Sequence, residues 1–497
     1  MSDSVMIGVL ASPRGQRCRR VVGMRKWSPL LAVSIGTFML LVDVTIVTVA
    51  LPAVAGDLHA SLDGLQWVLD GYALALAALL LGAGALADRH GRRRMYLAGT
   101  VVFAAASLLC AVADDAGLLV AARFLQGVGG AAMFATTVAL LGVTYQGKDR
   151  GIAFGVWGAV NGAAAAAGPI VGGLLTEHLG WRWIFLVNLP VSLLAVWFTV
   201  RGVTESKGRT DARFDVPGTV AFTIGAAAVT YGLIRGGEAG WTAASTLTAF
   251  GVCAAALVVF LLVERSAAQP MLDLRLFRSA SFSTLMVAAV LAQAAAFAYL
   301  PFATVWLQEF LGKGPVDAGL LGALPMSVAS FVVAAFGGRL LQRVAPRWTI
   351  GAGLLLVGAG DLLQARLTAA SPATALIPGL VVAGVGVAMV LPVLASAALA
   401  AAPPERSGMA SGAVNTFRQL GFALGVAVFG AVFSHRLAGH RDPRAGVADA
   451  LDHTLVVAGA LALAAGVLVL LFVRRPAPSV RGDGPQVRLD PAVPGGH

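Results

Sequence analysis

The chain has 497 residues, of which 58% are hydrophobic and only 12% are Asp, Glu, Lys or Arg, about half the charged share of an average soluble domain. Such a chain cannot cover a water-facing surface with polar side chains, which excludes a soluble globular protein. The formal charge of +11 is more typical of basic loops on a membrane protein than of a nucleic-acid footprint. Three widely separated cysteines support neither a disulfide framework nor a metal site.

Apolar runs recur along the chain, each close to the roughly 20 residues that cross a bilayer. They predict an all-α integral membrane protein with fourteen spans. Glycines scattered through these runs are typical of helices that pack closely in lipid. The predicted spans are 28–52, 65–86, 96–113, 117–142, 152–176, 183–203, 217–236, 244–263, 281–306, 316–338, 348–367, 374–399, 410–434 and 453–473.

The basic residues are distributed unequally between the two sides of these spans. Of the 36 Lys and Arg residues, 27 fall on the side of the amino terminus and seven on the other side, and Arg123 and Arg418 lie within spans. By the positive-inside rule, both termini are cytoplasmic and the protein is a multi-pass protein of the cell membrane. Residues 1–27 are predicted to be a cytoplasmic segment and residues 474–497 a disordered cytoplasmic tail.

A weak internal repeat divides the chain into related halves. GALADRHGRRRM from Gly84 and GRLLQRVAPRWT from Gly338 align without gaps at an offset of 254 residues, each after the second span of a set of six. This predicts an amino-terminal half over 28–203, an inserted helix pair with its loops over 204–280, and a carboxy-terminal half over 281–473. Transporters built from related halves bind substrate between them, near the bilayer midplane.

The turn between the second and third spans concentrates charge at a helix end. Its arginines are expected to anchor the loop to the anionic inner leaflet. Asp88 can accept charge-assisted hydrogen bonds from a neighbouring helix end in one conformation and lose them in another, which predicts a gating role. The alternative is an anchor for topology alone. The candidate gating residues are Gly84, Asp88, Arg89, Gly91, Arg92 and Arg93.

This turn resembles the cytoplasmic motif GxLaDrxGrkxxl of the major facilitator superfamily. Four further segments resemble motifs of its fourteen-span drug:proton antiporters, the EmrB/QacA type, and all five occur in the family's order. Thr48 and Ala164 depart from the residues usual in that type, which leaves substrate specificity open. The four segments are LVDVTIVTVALP ending at Pro52, RFLQGVG from Arg123, GPIVGG from Gly168 and WRWIFLVNLP from Trp181.

The resemblance implies a major facilitator fold of two six-helix halves plus two inserted helices, with the first and fourth helices lining a central cavity. It also implies that the fifth helix packs through an antiporter signature, which comprises Gly168, Pro169, Gly172 and Gly173.

Asp43 is the acid that we expect to carry the proton. It lies about 15 residues into the first span, hence beyond the midplane at roughly 1.5 Å per residue, and an ionisable group at such a depth is by default functional. Arg123 enters the fourth span from the outer side, so the two side chains are expected to share a depth. We predict a proton-coupling site formed by Asp43 with Arg123 modulating it; a permanently paired carboxylate is the alternative.

Other polar residues within spans are candidates for substrate binding. Asp361 fits a second proton site, an acceptor for a cationic substrate, or an acid facing water at the outer mouth, and these interpretations remain open. Asp70 begins the second span and is expected at the membrane interface. The substrate-binding candidates are Gln126, Trp157, Asn161, Asp361, Asn415 and Arg418.

The energy source is predicted from what the sequence lacks. No GxxxxGK[ST] loop for ATP occurs, so no cofactor is expected and a proton gradient is the predicted driving force. The favoured function is a proton-coupled exporter of hydrophobic or cationic drugs or a secondary metabolite, acting by alternating access, and not an enzyme. An uptake permease for a small nutrient is the alternative. The expected partners are the lipid bilayer, a small molecule and protons, with no nucleic acid and no metal, and the chain is expected to be a monomer.

Overall fold

The computed structural model describes residues 13–207, 215–268, 270–341, 344–368, 370–401, 407–440 and 442–473, without some side chains inside the helices. Within these ranges all regular secondary structure is helical. The predicted tail over 474–497 lies outside the described residues, as do Arg343 of the repeat and the first part of the amino-terminal segment.

The first half of the fold comprises the helices up to residue 202. Its helices are α1 (Pro13–Leu58), α2 (Leu62–His90), α3 (Arg92–Ala111), α4 (Ala116–Thr144), α5 (Gly147–His178), α6 (Trp183–Leu186) and α7 (Asn188–Gly202).

Two helices then precede the second half. They are α8 (Val216–Ala239) and α9 (Ala244–Ser266). The second half comprises α10 (Ala280–Phe297), α11 (Leu300–Val305), α12 (Pro315–Gly322), α13 (Leu324–Leu341), α14 (Pro346–Gln364), α15 (Ile377–Ala400), α16 (Ser407–Ala438) and α17 (Pro443–Phe472).

Side-chain caps determine where several helices begin. Ser61 accepts a hydrogen bond from the Gly64 amide at the start of α2, and Asp115 accepts one from the Leu118 amide at the start of α4. These caps satisfy amides that have no partner within the helix. Gly91 separates α2 from α3 at φ +116°, in the left-handed region that favours glycine.

Among the described residues, ten helices are long and apolar enough to cross a membrane, or up to twelve if each of two bent helix pairs is one span. The bent pairs lie within α2 and across α12 and α13. The ninth predicted span is interrupted, since α10 ends at Phe297 and a π-helical turn over Trp306–Phe310 follows α11. Together these helices make the chain a multi-pass membrane protein.

The same helix contacts occur in both halves. In the first half, α1 packs against α5 and α7, and α4 packs against α2 and α3; in the second, α10 packs against α16 and α17, and α15 packs against α13 and α14. Glycines make these approaches close. A Cβ on Gly127 would lie 2.5 Å from the Tyr72 carbonyl oxygen, and one on Gly384 would lie 2.3 Å from that of Met326. Tyr72 and Met326 are related by the offset of the sequence repeat.

The halves meet through helices that also correspond. The contacts join α2 to α16 and α5 to α12 and α13. The Glu177 carboxylate at the end of α5 accepts a hydrogen bond from the Val316 amide at 3.2 Å, and the Gln308 amide donates to the Val49 carbonyl at 2.8 Å. Both hydrogen bonds lie towards the end of the bundle where α1 and α5 finish.

Apolar side chains cover much of the outer surface. Large exposed ones occur on α9, such as Leu257, Val258 and Leu262, and on α7, such as Leu193. Exposed apolar surface of this extent fits contact with lipid acyl chains.

Candidate functional site

A buried ion pair joins α1 to α4. Arg123 Nη1 lies 2.5 Å from Asp43 Oδ2, and the two side chains are 1% and 0% exposed. The sequence predicted that these charges share a depth, and the structure brings them into direct contact. Burying one of them alone would be costly, whereas the pair offsets most of that cost.

Neutral polar side chains complete a cluster around Asp43. The Gln126 amide donates to Asp43 Oδ1 at 2.9 Å and to the Ser107 hydroxyl oxygen at 2.8 Å, while its own oxygen accepts from Arg123 Nη1. Asn188 donates to the same Asp43 oxygen at 3.0 Å and to Ser107 at 3.3 Å. Asp43 thus accepts from three donors, which come from α4 and α7.

Arg123 is held in place by α2 as well. Its Nε donates to the Val68 carbonyl at 3.1 Å, and its guanidinium carbon lies 4.4 Å from the centre of the Tyr72 ring and 5.9 Å from that of Phe185. An arginine between aromatic faces gains a cation–π attraction. We call Asp43, Ser107, Arg123, Gln126 and Asn188 the polar cluster.

Two members of the polar cluster were not predicted. Asn188 lies in WRWIFLVNLP, so an asparagine at a helix start within an apolar segment was an available signal. Ser107 had none, because a serine in an apolar helix usually bonds to the carbonyl four residues earlier, as Ser107 does with Phe103. Gln126, predicted to bind substrate, is fully buried within the cluster.

The glycines of GPIVGG face two different helices. A Cβ on Gly172 would lie 2.9 Å from the Ile46 carbonyl oxygen, and Gly168 has no room for a Cβ beside Thr45, both on α1. The opposite side of α5 meets the second half. A Cβ on Gly173 would lie 2.6 Å from Val316 Cα, and the Pro169 carbonyl lies against Gly319 on α12.

The charged turn between α2 and α3 is tied to the segment after α7. The Glu205 carboxylate accepts from the amides of Arg93 at 3.1 Å and Arg94 at 3.2 Å, which places an anion at the amino terminus of α3. A Cβ on Gly91 would lie 2.6 Å from that carboxylate, whereas nothing lies within 4 Å of one on Gly84.

Within the charged turn, the arginines make different contacts. Asp88 accepts from Arg92 Nε at 2.8 Å, so both partners belong to the first half. Arg93 donates to the Val200 carbonyl at 3.0 Å, and Arg89 is exposed.

The remaining candidates lie apart from the polar cluster. Trp157 donates to the Thr37 hydroxyl at 3.0 Å, Asn415 is half-buried, and Arg418 donates from Nε to Gln293 at 3.1 Å. The Asn161 side chain lies outside the described residues.

The structure excludes one of the three interpretations of Asp361 and corrects the expectation for Asp70. Asp361 is 0% exposed, so it does not face water at the outer mouth, and Asp70 is also 0% exposed rather than interfacial. Neither carboxyl group has a hydrogen-bond partner among the described residues. A short apolar sequence cannot distinguish these cases, because neighbouring helices decide whether a residue near a helix end is covered. No group of three His, Cys, Asp or Glu that could hold a metal occurs in the described part of the chain.

Comparison with known proteins places the chain in one family. The sequence profile of the Major Facilitator Superfamily matches residues 33–425, and again 285–493. The chain is similar to the puromycin resistance protein pur8 of Streptomyces alboniger, at 38% identity over 90% of each chain. It is 36% identical to the multidrug resistance protein Stp of Mycobacterium tuberculosis and to the tetracenomycin C resistance and export protein of Streptomyces glaucescens, each over 83% of this chain and 77% of the relative.

A solved structure shows the same fold at low identity. The crystal structure of the peptide transporter POT in complex with sulfate aligns with a TM-score of 0.64 and 16% identity, over 89% of this chain and 93% of that one. With a family profile that spans most of the chain and relatives above 30% identity, this protein belongs to the Major Facilitator Superfamily and is a membrane transporter, not an enzyme.

Proposed function

We propose that this transporter is a proton-coupled exporter of drugs or secondary metabolites that works by alternating access. The observation that carries the proposal is the polar cluster, in which a buried acid is bound by an arginine and two amides. A proton that binds Asp43 competes with these donors, because a protonated carboxyl group no longer holds the arginine as an ion partner. Proton binding therefore loosens the contact between α1 and α4, and proton release restores it.

The contacts between the halves support an inward-facing state. Two hydrogen bonds between them, Val316 to Glu177 and Gln308 to Val49, lie towards the end where α1 and α5 finish, which is the outer side if the amino terminus is cytoplasmic. At the opposite end, Asp88 bonds to Arg92 of its own half. Exchange with an outward-facing state would break the first contacts and give Asp88 a partner in the other half.

We propose fourteen spans, with both termini in the cytoplasm of the cell and the chain in its cytoplasmic membrane as a monomer of the EmrB/QacA type. Two helices beyond the ten to twelve apolar ones support this count. α5 has 32 residues and α14 has 19, which at about 1.5 Å per residue is close to or beyond the roughly 30 Å of a bilayer core. The matching contacts on either side of α8 and α9 support two six-helix halves with an inserted pair.

The relatives indicate the class of cargo. Similar proteins are named for resistance to puromycin, for export of tetracenomycin C and for multidrug resistance, so we propose that this chain exports such compounds. The test is to express it in a bacterial host that lacks its own major drug exporters. The inhibitory concentration of puromycin or tetracenomycin C should rise at least fourfold, and a protonophore should restore drug accumulation. Unchanged sensitivity to both, and to a wider panel of antibiotics, would argue against export.

A further inference from the structure

We infer that Arg418 binds an anionic group of the transported compound, such as a carboxylate or an acidic phenol. This rests on the proposed export function but concerns a different site from the polar cluster. The contrast between Arg123 and Arg418, the two arginines within the predicted spans, suggests it. Arg123 is matched by a carboxylate, whereas among the described side chains Arg418 has a neutral amide as its polar partner.

Packing places Arg418 deep within the membrane. Gly421 of α16 packs against Val290 of α10, and Gly425 packs against Ala294, so these two helices run side by side. The guanidinium reaches Gln293, which is near the middle of the 31-residue membrane-crossing segment Ala280–Phe310. The charge of Arg418 therefore lies near the level at which transporters of this architecture bind their cargo.

The guanidinium of Arg418 is incompletely satisfied. It has five N–H donors, of which Nε donates to Gln293 Oε1 at 3.1 Å. No carboxylate lies within ion-pair distance among the residues whose side chains the structure describes, and the two terminal nitrogens have no acceptor among them. The side chain is only half-buried. A charge within a membrane is costly unless it is paired, so this arginine is suited to a partner that arrives with the cargo.

The shape and charge of the Arg418 guanidinium group determine which chemical group it can bind. The planar fork of a guanidinium matches the two oxygens of a carboxylate, and it repels a cation. The two unpaired acids of the membrane interior do not supply this partner, since the oxygens of Asp70 and Asp361 bond to nothing among the described residues. Asn415 lies three residues earlier, on the same side of α16.

The test uses two probes that share one three-ring scaffold, anthraquinone-2-carboxylate and the neutral anthraquinone-2-carboxamide. Binding to the purified full chain in lipid nanodiscs is measured by quenching of tryptophan fluorescence. We expect the carboxylate to bind at least tenfold more tightly. Arg418→Gln should remove this preference while changing carboxamide affinity less than threefold, and Arg418→Lys should retain part of it. Arg436→Gln, an exposed position on the same helix, is the matched control and should change neither affinity.

Equal affinity for the two probes, equal losses for both in Arg418→Gln, or no binding of either probe overturns the inference. The carboxamide also reports whether the variant is folded. Export of the same probes into energised everted vesicles separates this idea from the proposed function. Proton-driven transport that does not depend on Arg418 would contradict only the anion site. Arg418-dependent binding without any proton-driven transport would contradict only the export function.

Discussion

At the scale of single residues, the polar cluster stabilises a charged Asp43 inside the membrane by surrounding it with hydrogen-bond donors. Asp43 has one charged donor and two amide donors, and Ser107 joins these amides from the other side. If Asp43 took up a proton, each of these donors would have a weaker acceptor, because the neutral carboxyl group keeps lone pairs but no longer carries the charge that pairs with Arg123. Protonation of Asp43 would therefore change hydrogen bonds that join α1, α3, α4 and α7.

The first prediction compares the loss of one charge of the Asp43–Arg123 ion pair with the loss of both. Arg123→Gln leaves Asp43 buried without a cation, which should cost about 3–5 kcal/mol. The double variant Asp43→Asn/Arg123→Gln should be less destabilised than Arg123→Gln alone, because no charge remains uncompensated. Thermal unfolding of the purified variants in detergent measures this. Additive losses in the double variant would mean that the two charges do not form a coupled pair.

At this scale the sequence predicted the charges better than their neutral partners. Asp43 and Arg123 stand out because charge within an apolar run is rare, whereas Ser107 and Asn188 are ordinary residues whose role depends on which helices meet. Asp70 and Asp361 show the same limit, since their complete burial is caused by neighbouring helices.

At the scale of elements, α5 is one of the helices that join the two halves. One side packs on α1 through Gly168 and Gly172, and the other meets α12 through Pro169 and Gly173. The motif GPIVGG thus describes two contact surfaces rather than one. α5 therefore lies between α1 and the second half, in contact with both.

The second prediction tests this close packing. Gly172→Val should abolish transport or folding, because even its first added carbon would lie 2.9 Å from the Ile46 carbonyl oxygen, and overpacking typically costs about 1–3 kcal/mol. Gly251→Val on α9 is the control, since nothing lies within 4 Å of a Cβ there. Yield and elution profile in detergent and drug accumulation in cells are the measurements. A fully active Gly172→Val would contradict the packing argument.

At the scale of the whole molecule, the repeated contacts describe two related bundles. The offset found between Gly84 and Gly338 also relates Tyr72 to Met326, which pack against a glycine of α4 and a glycine of α15, respectively. The all-helical, multi-pass fold was therefore predictable from hydropathy and one weak repeat. The interruption of the ninth predicted span was not, because Pro301 alone does not reveal whether a helix kinks or breaks.

The third prediction concerns topology. In a chain lacking its three native cysteines, Arg94→Cys in the turn after Gly91 should react with a membrane-impermeant maleimide only from the cytoplasmic side. Lys313→Cys, an exposed position on the opposite side of the bundle, should react only from outside. Labelling of both positions from the same side would overturn the proposed orientation and the number of spans between them.

The most direct test of proton-coupled export is substrate-induced proton release. Everted membrane vesicles containing the full chain and a pH-sensitive dye are energised, and puromycin or tetracenomycin C is then added. We predict that the drug collapses part of the proton gradient, and that Asp43→Asn abolishes this response while the protein remains folded and inserted. Absence of a response to every tested drug, or a response unchanged by Asp43→Asn, would contradict proton coupling through the polar cluster.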